Sequence, residues 1–551
     1  MDPLRAKVGL SSNAWMADRS IWVVALALLI WIIQGAFMVN RVDTWLDEGM
    51  YLVKSANYVS GRVAPYSLDD PTSYPPLYFL LLGTAQRIFG EGHLTGRLLS
   101  VLLSLSSIVL LYFAAFRCLR NKFAASTATL VFALNPMAVA YMSTATPYAF
   151  LTVLTLVSFL FLTHNEVAPL WARAPIMGSL AACLILTRIN LAPALLLFAA
   201  LYLILQRENF RIALSILVGA MVVAAGWIAI AIWYFGSGLA ETLAFLPGLH
   251  WILWRWTNVG SEMRDVISLT GSPTDLHFQW SVVKEVVDRY FFRLYPTILA
   301  PAILGTALVF ASRDLFSLTG FCALYFASMT LVHLFGSQSY CPPCLMAYTN
   351  YFLAFAAIPA AFFLNAIAAK LPRNVTIVVF VAGAAIGTYL VGQKRNIGML
   401  IPTARDNPLQ IEARLSESIK GFLPEGRILA LSGSYQTFQA IWLAGGLLES
   451  YSISFLPSIR EPRADHDPAT KARAERALSL RGFRSSDGVI RDLRRPMAAV
   501  VVQERPAIFE TLVPYVGSQN AQRIHNALLS GYNRVGEVTQ GDQSISIWRP
   551  K

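Results

Sequence analysis

Two adjacent carboxylates, Asp47 and Glu48 in the run Trp45-Leu46-Asp47-Glu48, stand a short way beyond an apolar stretch, residues 21–38, that is long enough to cross a bilayer. Asp43 lies four residues before Asp47, so a helical continuation of the apolar run stacks the two on one face with Glu48 beside them. Carboxylates at headgroup depth could take a proton from a hydroxyl, hold a divalent cation such as Mg2+ or Ca2+ through oxygen ligands, or simply end a helix in water. Spacing alone favours the last of these, a solvated helix end. Two cations fall at the expected outer ends of spans, Arg97 and Arg188, where a guanidinium either binds an anion or snorkels to lipid headgroups. His250, in an expected outer loop, either touches a substrate or makes a local hydrogen bond.

The elements that position these groups follow from composition. The chain has 551 residues, of which 56% are apolar and 14% charged, and its mean hydropathy is +0.52; soluble domains carry about a quarter charged residues. This is the balance of a multi-spanning membrane protein. The net charge of +12 gathers in short loops between apolar runs, which fits lipid headgroups and membrane topology and argues against a nucleic-acid partner.

Arg5, Lys7 and Arg19 precede the first apolar run, which is too long for a signal-peptide core and reads as an uncleaved anchor with a cytoplasmic N-terminus. The acids Asp43, Asp47, Glu48, Asp69 and Asp70 then belong to an outer loop, residues 40–96. The next apolar stretch, 77–89, is short, and counting it as a span would force Arg117, Arg120 and Lys122 outside, so it is expected to lie along the outer surface. Spans are expected at 98–116, 123–140, 147–162, 176–186, 191–205 and 212–234. After a second large outer loop, 236–288, come four more, at 290–310, 315–334, 351–368 and 375–391, for about eleven in all. An odd number leaves the C-terminus outside, although Lys394 and Arg395 directly beyond the last span run against the charge bias.

Residues 1–392 therefore form a polytopic domain, and 393–551 a small α/β domain expected on the extracytoplasmic side, with strands at 427–431, 497–502 and 544–548 among helices such as 468–478. Cys341 and Cys344 in an outer loop read as a structural disulfide or free thiols, and Cys118, Cys183 and Cys322 as packing residues. No Walker loop or Gly-x-Gly-x-x-Gly after a strand occurs. No set of residues reads as a metal site. A polytopic transporter or flippase of a lipid-linked or envelope glycan precursor is the alternative function, but it expects acids deep in the spans, and these spans are nearly free of charge.

Beyond the acid pair, an ordered series of short motifs runs through the first 200 residues. These are Tyr74-Pro75-Pro76-Leu77-Tyr78, Gly96-Arg97-Leu98-Leu99-Ser100, Arg117-Cys118-Leu119-Arg120, Asn135-Pro136, Pro147-Tyr148-Ala149 and Leu186-Thr187-Arg188. In order and spacing the chain resembles the membrane-embedded GT-C glycosyltransferases, in particular the protein mannosyltransferase and aminoarabinose transferase superfamily. The resemblance implies an all-α GT-C membrane fold with outer juxtamembrane helices. It also implies an inverting transfer of a sugar from a polyprenyl-phosphate donor to a hydroxyl of a lipid, glycan or protein acceptor, at the outer leaflet of a bacterial inner membrane. It makes Asp47 the general base with Glu48 beside it, Arg97 and Arg188 the donor-phosphate contacts, and Asp43, Tyr74 and His250 further candidates. The sequence departs from the pattern in two places. Ser143-Thr144-Ala145-Thr146 stands where relatives often carry an acid and an arginine, and Asn350-Tyr351 where they often have Arg-Tyr.

Overall fold

The computed structural model describes residues 14–41, 48–61, 77–163, 170–188, 210–234, 236, 284, 296–312, 317–336, 350–370, 408–432, 437, 440–442, 444, 447–448, 467–469, 471, 485–505, 507–540 and 543–551. In chain order the helices of the apolar region are α1 (Ala14–Arg41), α2 (Glu48–Val59), α3 (Leu77–Phe89), α4 (His93–Leu119), α5 (Lys122–Ala133), α6 (Pro136–Met142), α7 (Tyr148–Thr163) and α8 (Leu170–Thr187). They continue with α9 (Phe210–Ala229), which ends in a π turn over Ile230–Tyr234, and with α10 (Pro296–Ala311), α11 (Leu318–Gly336) and α12 (Leu353–Ala368). The remainder holds α13 (Pro408–Lys420), β1 (Arg427–Leu431), β2 (Leu447–Leu448), α14 (Ser486–Leu493) and β3 (Ala499–Arg505), followed by α15 (Ile508–Val516), α16 (Ser518–Gly531), β4 (Tyr532–Gln540) and β5 (Gln543–Pro550). The chain divides into two compact units. One comprises Met1–Val42, Gly96–Ala224 and Leu276–Thr403; the other comprises Asp43–Thr95, Ala225–Asp275 and Ala404–Lys551, so it gathers much of both expected outer loops with the C-terminal region.

Three described helical stretches are long and apolar enough to cross a membrane, Ser20–Val39, His93–Leu119 and Leu214–Tyr234, since a hydrocarbon core of about 30 Å takes about 20 residues. Their outward faces carry large apolar side chains that a water-soluble protein would bury, among them Ile21, Trp22 and Ile33 on α1 and Met221 and Val222 on α9. Seven shorter apolar helices accompany them, including Leu77–Phe89, whose bounds match those expected for the surface helix. The expected spans at 191–205 and 375–391 lie outside the described residues, as do Cys341 and Cys344 and most of 468–478.

One expected span is not continuous. Residues 123–140 form α5 and α6 with a break at Leu134-Asn135. Pro136 has no N–H to extend α5, and the Asn135 side chain accepts from the Ala138 N–H at 3.0 Å, opening a new helix instead. The break strands carbonyls inside an apolar bundle, and one of them, Ala133 O, accepts from Gln34 Nε2 of α1 at 3.0 Å. Beside it Trp31 stacks on Phe132, ring centroids 5.2 Å apart. Helix α8 also differs from expectation. It starts at Leu170 and runs through Pro175, whose carbonyl accepts from Ser179 at 3.0 Å.

Small residues set how closely the helices approach. A Cβ on Gly305 of α10 would lie 2.0 Å from the Pro359 carbonyl of α12, so only glycine permits that crossing. In the second unit a Cβ on Gly83 of α3 would fall 2.1 Å from Ser55 O of α2. Gln86 ties the same pair by donating to Leu52 O at 3.0 Å, and Tyr51 stacks on Phe79 at 5.0 Å.

The C-terminal sheet has the order β2-β1-β3-β5-β4. β1 pairs parallel with β2 and β3, while β5 runs antiparallel to both β3 and β4. Helices α14, α15 and α16 close one face over Leu429, Leu431, Val500 and Val502. Strands β1, β3 and β5 fall on the three expected strand segments. The sequence reading omitted β4, because its residues alternate exposed and half-buried and include Gly536. Phe422 covers that glycine, its ring 2.9 Å from the position a Cβ would take.

Candidate active site

Arg97 lies near the start of α4 and is fully buried. Its Nη1 donates to Val39 O at 2.6 Å, in the last turn of α1. The two helices meet antiparallel. Gly35, one turn before Val39, has its Cβ position 3.6 Å from the methyls of Val101, one turn after Arg97. The final carbonyls of a helix have no partner within it and carry the negative end of its dipole, so a guanidinium is a favourable cap there. Snorkelling would leave the charged head among headgroups; complete burial removes that reading for Arg97. A buried guanidinium is tolerated only when hydrogen bonds and opposite charge compensate it, which is the condition under which it can serve an anion.

The loop between α6 and α7 comes to the same end of the first unit. Ser104 Oγ of α4 lies 3.0 Å from Met142 O, and Ser143 Oγ lies 3.7 Å from the Cβ position of Gly35. Ser143, Thr144, Ala145 and Thr146 are all buried. Thr144 donates to Tyr141 O at 2.7 Å, and its hydroxyl lies 3.1 Å from that of Thr146. Aromatic rings wall the loop. Tyr148 packs against Tyr141 at 5.9 Å and against Tyr351 at 5.4 Å, bringing the start of α12 to the same place. Asn350, the residue standing where relatives often have arginine, is buried beside Tyr351.

Arg188 follows the last residue of α8, is 5% exposed, and belongs to the same unit as Arg97. Glu48 belongs to the second unit, where it is buried in the first turn of α2. The partial positive charge at a helix N-terminus favours a carboxylate there. Lys54 and His93 are also buried in that unit. Asp43, Asp47, Tyr74 and His250 lie outside the described residues. Among the described residues no group of three His, Cys, Asp or Glu side chains converges as a metal site would.

Sequence reasoning passed over Ser100, which is buried on the same face of α4 as Arg97. A three-residue offset on a helix already signalled that neighbourhood. It gave Ser143 no role, noting only that its segment stands where relatives often carry an acid and an arginine, and it missed Gln34, whose amide secures the break in the third expected span.

At the sequence level residues 73–233 match the profile of the dolichyl-phosphate-mannose-protein mannosyltransferase family. No curated protein sequence matches the chain. Among solved structures, ArnT from Cupriavidus metallidurans bound to undecaprenyl phosphate superposes with a TM-score of 0.54 at 13% identity, over 98% of this chain and 98% of that one. Its apo form gives the same score and identity over 96% and 97%. The fold is that of the GT-C membrane glycosyltransferases. The archaeal oligosaccharyltransferase AglB from Archaeoglobus fulgidus, in complex with an inhibitory peptide and a dolichol-phosphate, scores 0.50 at 14% identity. That likeness covers 95% of this chain and 74% of AglB.

Proposed function

We propose that the protein is a GT-C glycosyltransferase that moves a sugar from a polyprenyl-phosphate donor to an acceptor hydroxyl at the outer leaflet of a bacterial inner membrane, with the C-terminal α/β domain on the same side. The buried Arg97, anchored on the last turn of α1 beside a polar loop, is the observation that carries this reading. Both ArnT and AglB were solved with a lipid phosphate, and the matched family is named for dolichyl-phosphate-mannose. A guanidinium at a helix end suits the leaving phosphate, on which negative charge grows as the bond to the sugar breaks.

In this mechanism the acceptor oxygen attacks the anomeric carbon from the face opposite the phosphate, so the configuration inverts. Its proton passes to the Asp47 carboxylate, and the electron pair of the breaking carbon–oxygen bond stays on the polyprenyl phosphate. Glu48, at the start of α2, follows the base directly in the chain, and Asp43 is a further candidate. Arg97 and Arg188 bind the departing phosphate. Tyr74 and His250 contact the substrate.

The test incubates the purified protein with a panel of polyprenyl-phosphate sugars and follows release of free polyprenyl phosphate. Release with formation of a glycosylated acceptor is expected. Movement of the lipid across vesicles without bond cleavage would establish the flippase instead. Asp47→Asn is expected to lower turnover by about 10²–10⁴-fold while donor binding survives, because it removes only the proton acceptor. Full activity in that variant takes Asp47 out of the mechanism.

A further inference from the structure

Inside the membrane bundle, a serine or threonine hydroxyl has an easy partner in the carbonyl four residues back on its own helix. The described helices use it repeatedly. Ser104, Ser106 and Ser107 of α4 donate to the carbonyls of Ser100, Leu102 and Leu103 at 2.8–3.0 Å, and Thr152, Thr155 and Ser158 of α7 do the same at 2.6–2.9 Å. Ser100 and Ser143 do not. Both are buried, at 0% and 1% exposure, and both hydroxyls are without a hydrogen-bond partner. Among the described residues Ser55, Thr306 and the half-buried Thr330 also lack a hydroxyl partner, but Ser100 and Ser143 lie about one helical turn from Arg97.

Their placement is coherent. Ser100 lies three residues after Arg97 and one turn before Ser104, whose hydroxyl reaches Met142 O, the carbonyl immediately preceding Ser143. Ser143 in turn faces Gly35, one turn before the carbonyl that Arg97 holds. Two unsatisfied hydroxyls thus occupy the seam between α1, α4 and the α6–α7 loop, about one helical turn deeper than Arg97. An unsatisfied buried hydroxyl is costly, and a ligand oxygen is what would relieve it.

Resting on the glycosyltransferase reading above, we infer that Ser100 and Ser143 donate hydrogen bonds to the phosphate oxygens of the lipid-linked donor and, with Arg97, form its oxyanion pocket. The chain thereby uses hydroxyls from the α6–α7 loop where relatives often place an acid and an arginine. Hydroxyl donors bind a phosphate without adding charge to the bundle, and they shorten and strengthen against an anion.

The experiment measures binding of a polyprenyl monophosphate, and separately of the parent polyprenol, to the full-length protein in detergent. Wild type is compared with Ser100→Ala, Ser143→Ala, the double variant and the two Ser→Thr variants. About a tenfold loss of phosphate affinity is expected for each hydroxyl removed, with polyprenol binding unchanged and affinity largely kept by threonine. Unfolding midpoints of the ligand-free alanine variants should equal or exceed that of wild type, because each loses a hydroxyl that had no partner. Undiminished phosphate affinity in the double variant overturns the inference while leaving the glycosyltransferase reading standing. A wild type that binds the phosphate no better than the polyprenol removes both.

Discussion

In the C-terminal α/β region, buried hydroxyls pair with other side chains or cap a helix. Ser432 donates to Gln503 Oε1 at 2.7 Å while its oxygen lies 3.1 Å from the Thr437 hydroxyl, and the Ser485 hydroxyl caps α14 by accepting from the Gly488 N–H at 3.0 Å. In the apolar bundle hydroxyls turn back onto their own helices instead. The contrast follows from what each backbone leaves free. Strand carbonyls are committed to neighbouring strands, so a sheet side chain must look outward, whereas each helix carbonyl keeps a second lone pair within reach of the residue four positions on. An unpaired hydroxyl therefore says more in the bundle than it would in the sheet, because a partner was available and was not used. The unpaired pair Ser100 and Ser143 in the bundle is the feature that points to a site, whereas the paired hydroxyls of both regions hold the fold together.

The largest effect expected from breaking this contrast is at Arg97. Arg97→Met keeps most of the side-chain volume but removes every donor, and sugar transfer should fall by about 10²–10³-fold, the loss typical of deleting one donor to a developing oxyanion. Turnover kinetics on the purified variant measure it. A loss confined to unfolding temperature, with transfer intact, would make Arg97 a structural cap on α1 and nothing more.

Leu429→Ala cuts into the other region. Leu429 is fully buried in the cluster under α14, α15 and α16, and the cavity should cost about 2–5 kcal/mol. Hydrogen exchange should report this as earlier opening of β1 and β3, with phosphate affinity of the bundle unchanged. Parallel losses of affinity and sheet stability would end the separation of roles drawn between the two regions.

How far the sequence foretold these regions depended on which physical signal was present. The charge bias that kept Arg117, Arg120 and Lys122 on one side also assigned Leu77–Phe89 to a helix of its own, and Arg117 donates to Thr163 O at the end of α7, joining two helix ends that the charge bias expects on one side. Strand β1 matched because Ile428 to Leu431 form an unbroken buried run. The break at Asn135-Pro136 was misread for a definite reason: hydropathy is blind to a proline whose freed carbonyl is satisfied by a residue 99 positions earlier, Gln34. Strand β4 was lost because an edge strand facing solvent carries little apolar periodicity. Arg97 was legible as a cation at a span end, but its complete burial was not, since that depends on α1 turning its last carbonyls toward it. The unpaired state of Ser100 and Ser143 lies beyond any sequence rule, because Ser104, one turn on in the same helix as Ser100, and Thr144, next to Ser143, are both paired.

The smallest effect belongs to the exposed hairpin of β4 and β5, where the reading of the sheet as ordinary folding chemistry can be sharpened. Glu537 accepts from the Ser544 hydroxyl at 2.6 Å and pairs with Arg534. The Ser544 hydrogen bond, and after it the charges of Arg534 and Arg505, hold its carboxyl below the usual glutamate value. A depressed folded-state value means that the contribution to stability is present above the unfolded value of about 4.3 and is lost as pH falls through the folded value beneath it. Glu537→Gln should therefore be slightly less stable than wild type near neutrality, the two denaturation curves of the hairpin converging in acid. Salt distinguishes the causes. At about 1 M salt the screening length is about 3 Å, so the arginine contributions shrink while the hydroxyl bond persists. Because Ser544 is the larger cause, Ser544→Ala should flatten the acid dependence more than salt does; the reverse order would give the arginines the leading part and make this corner of the sheet an electrostatic feature.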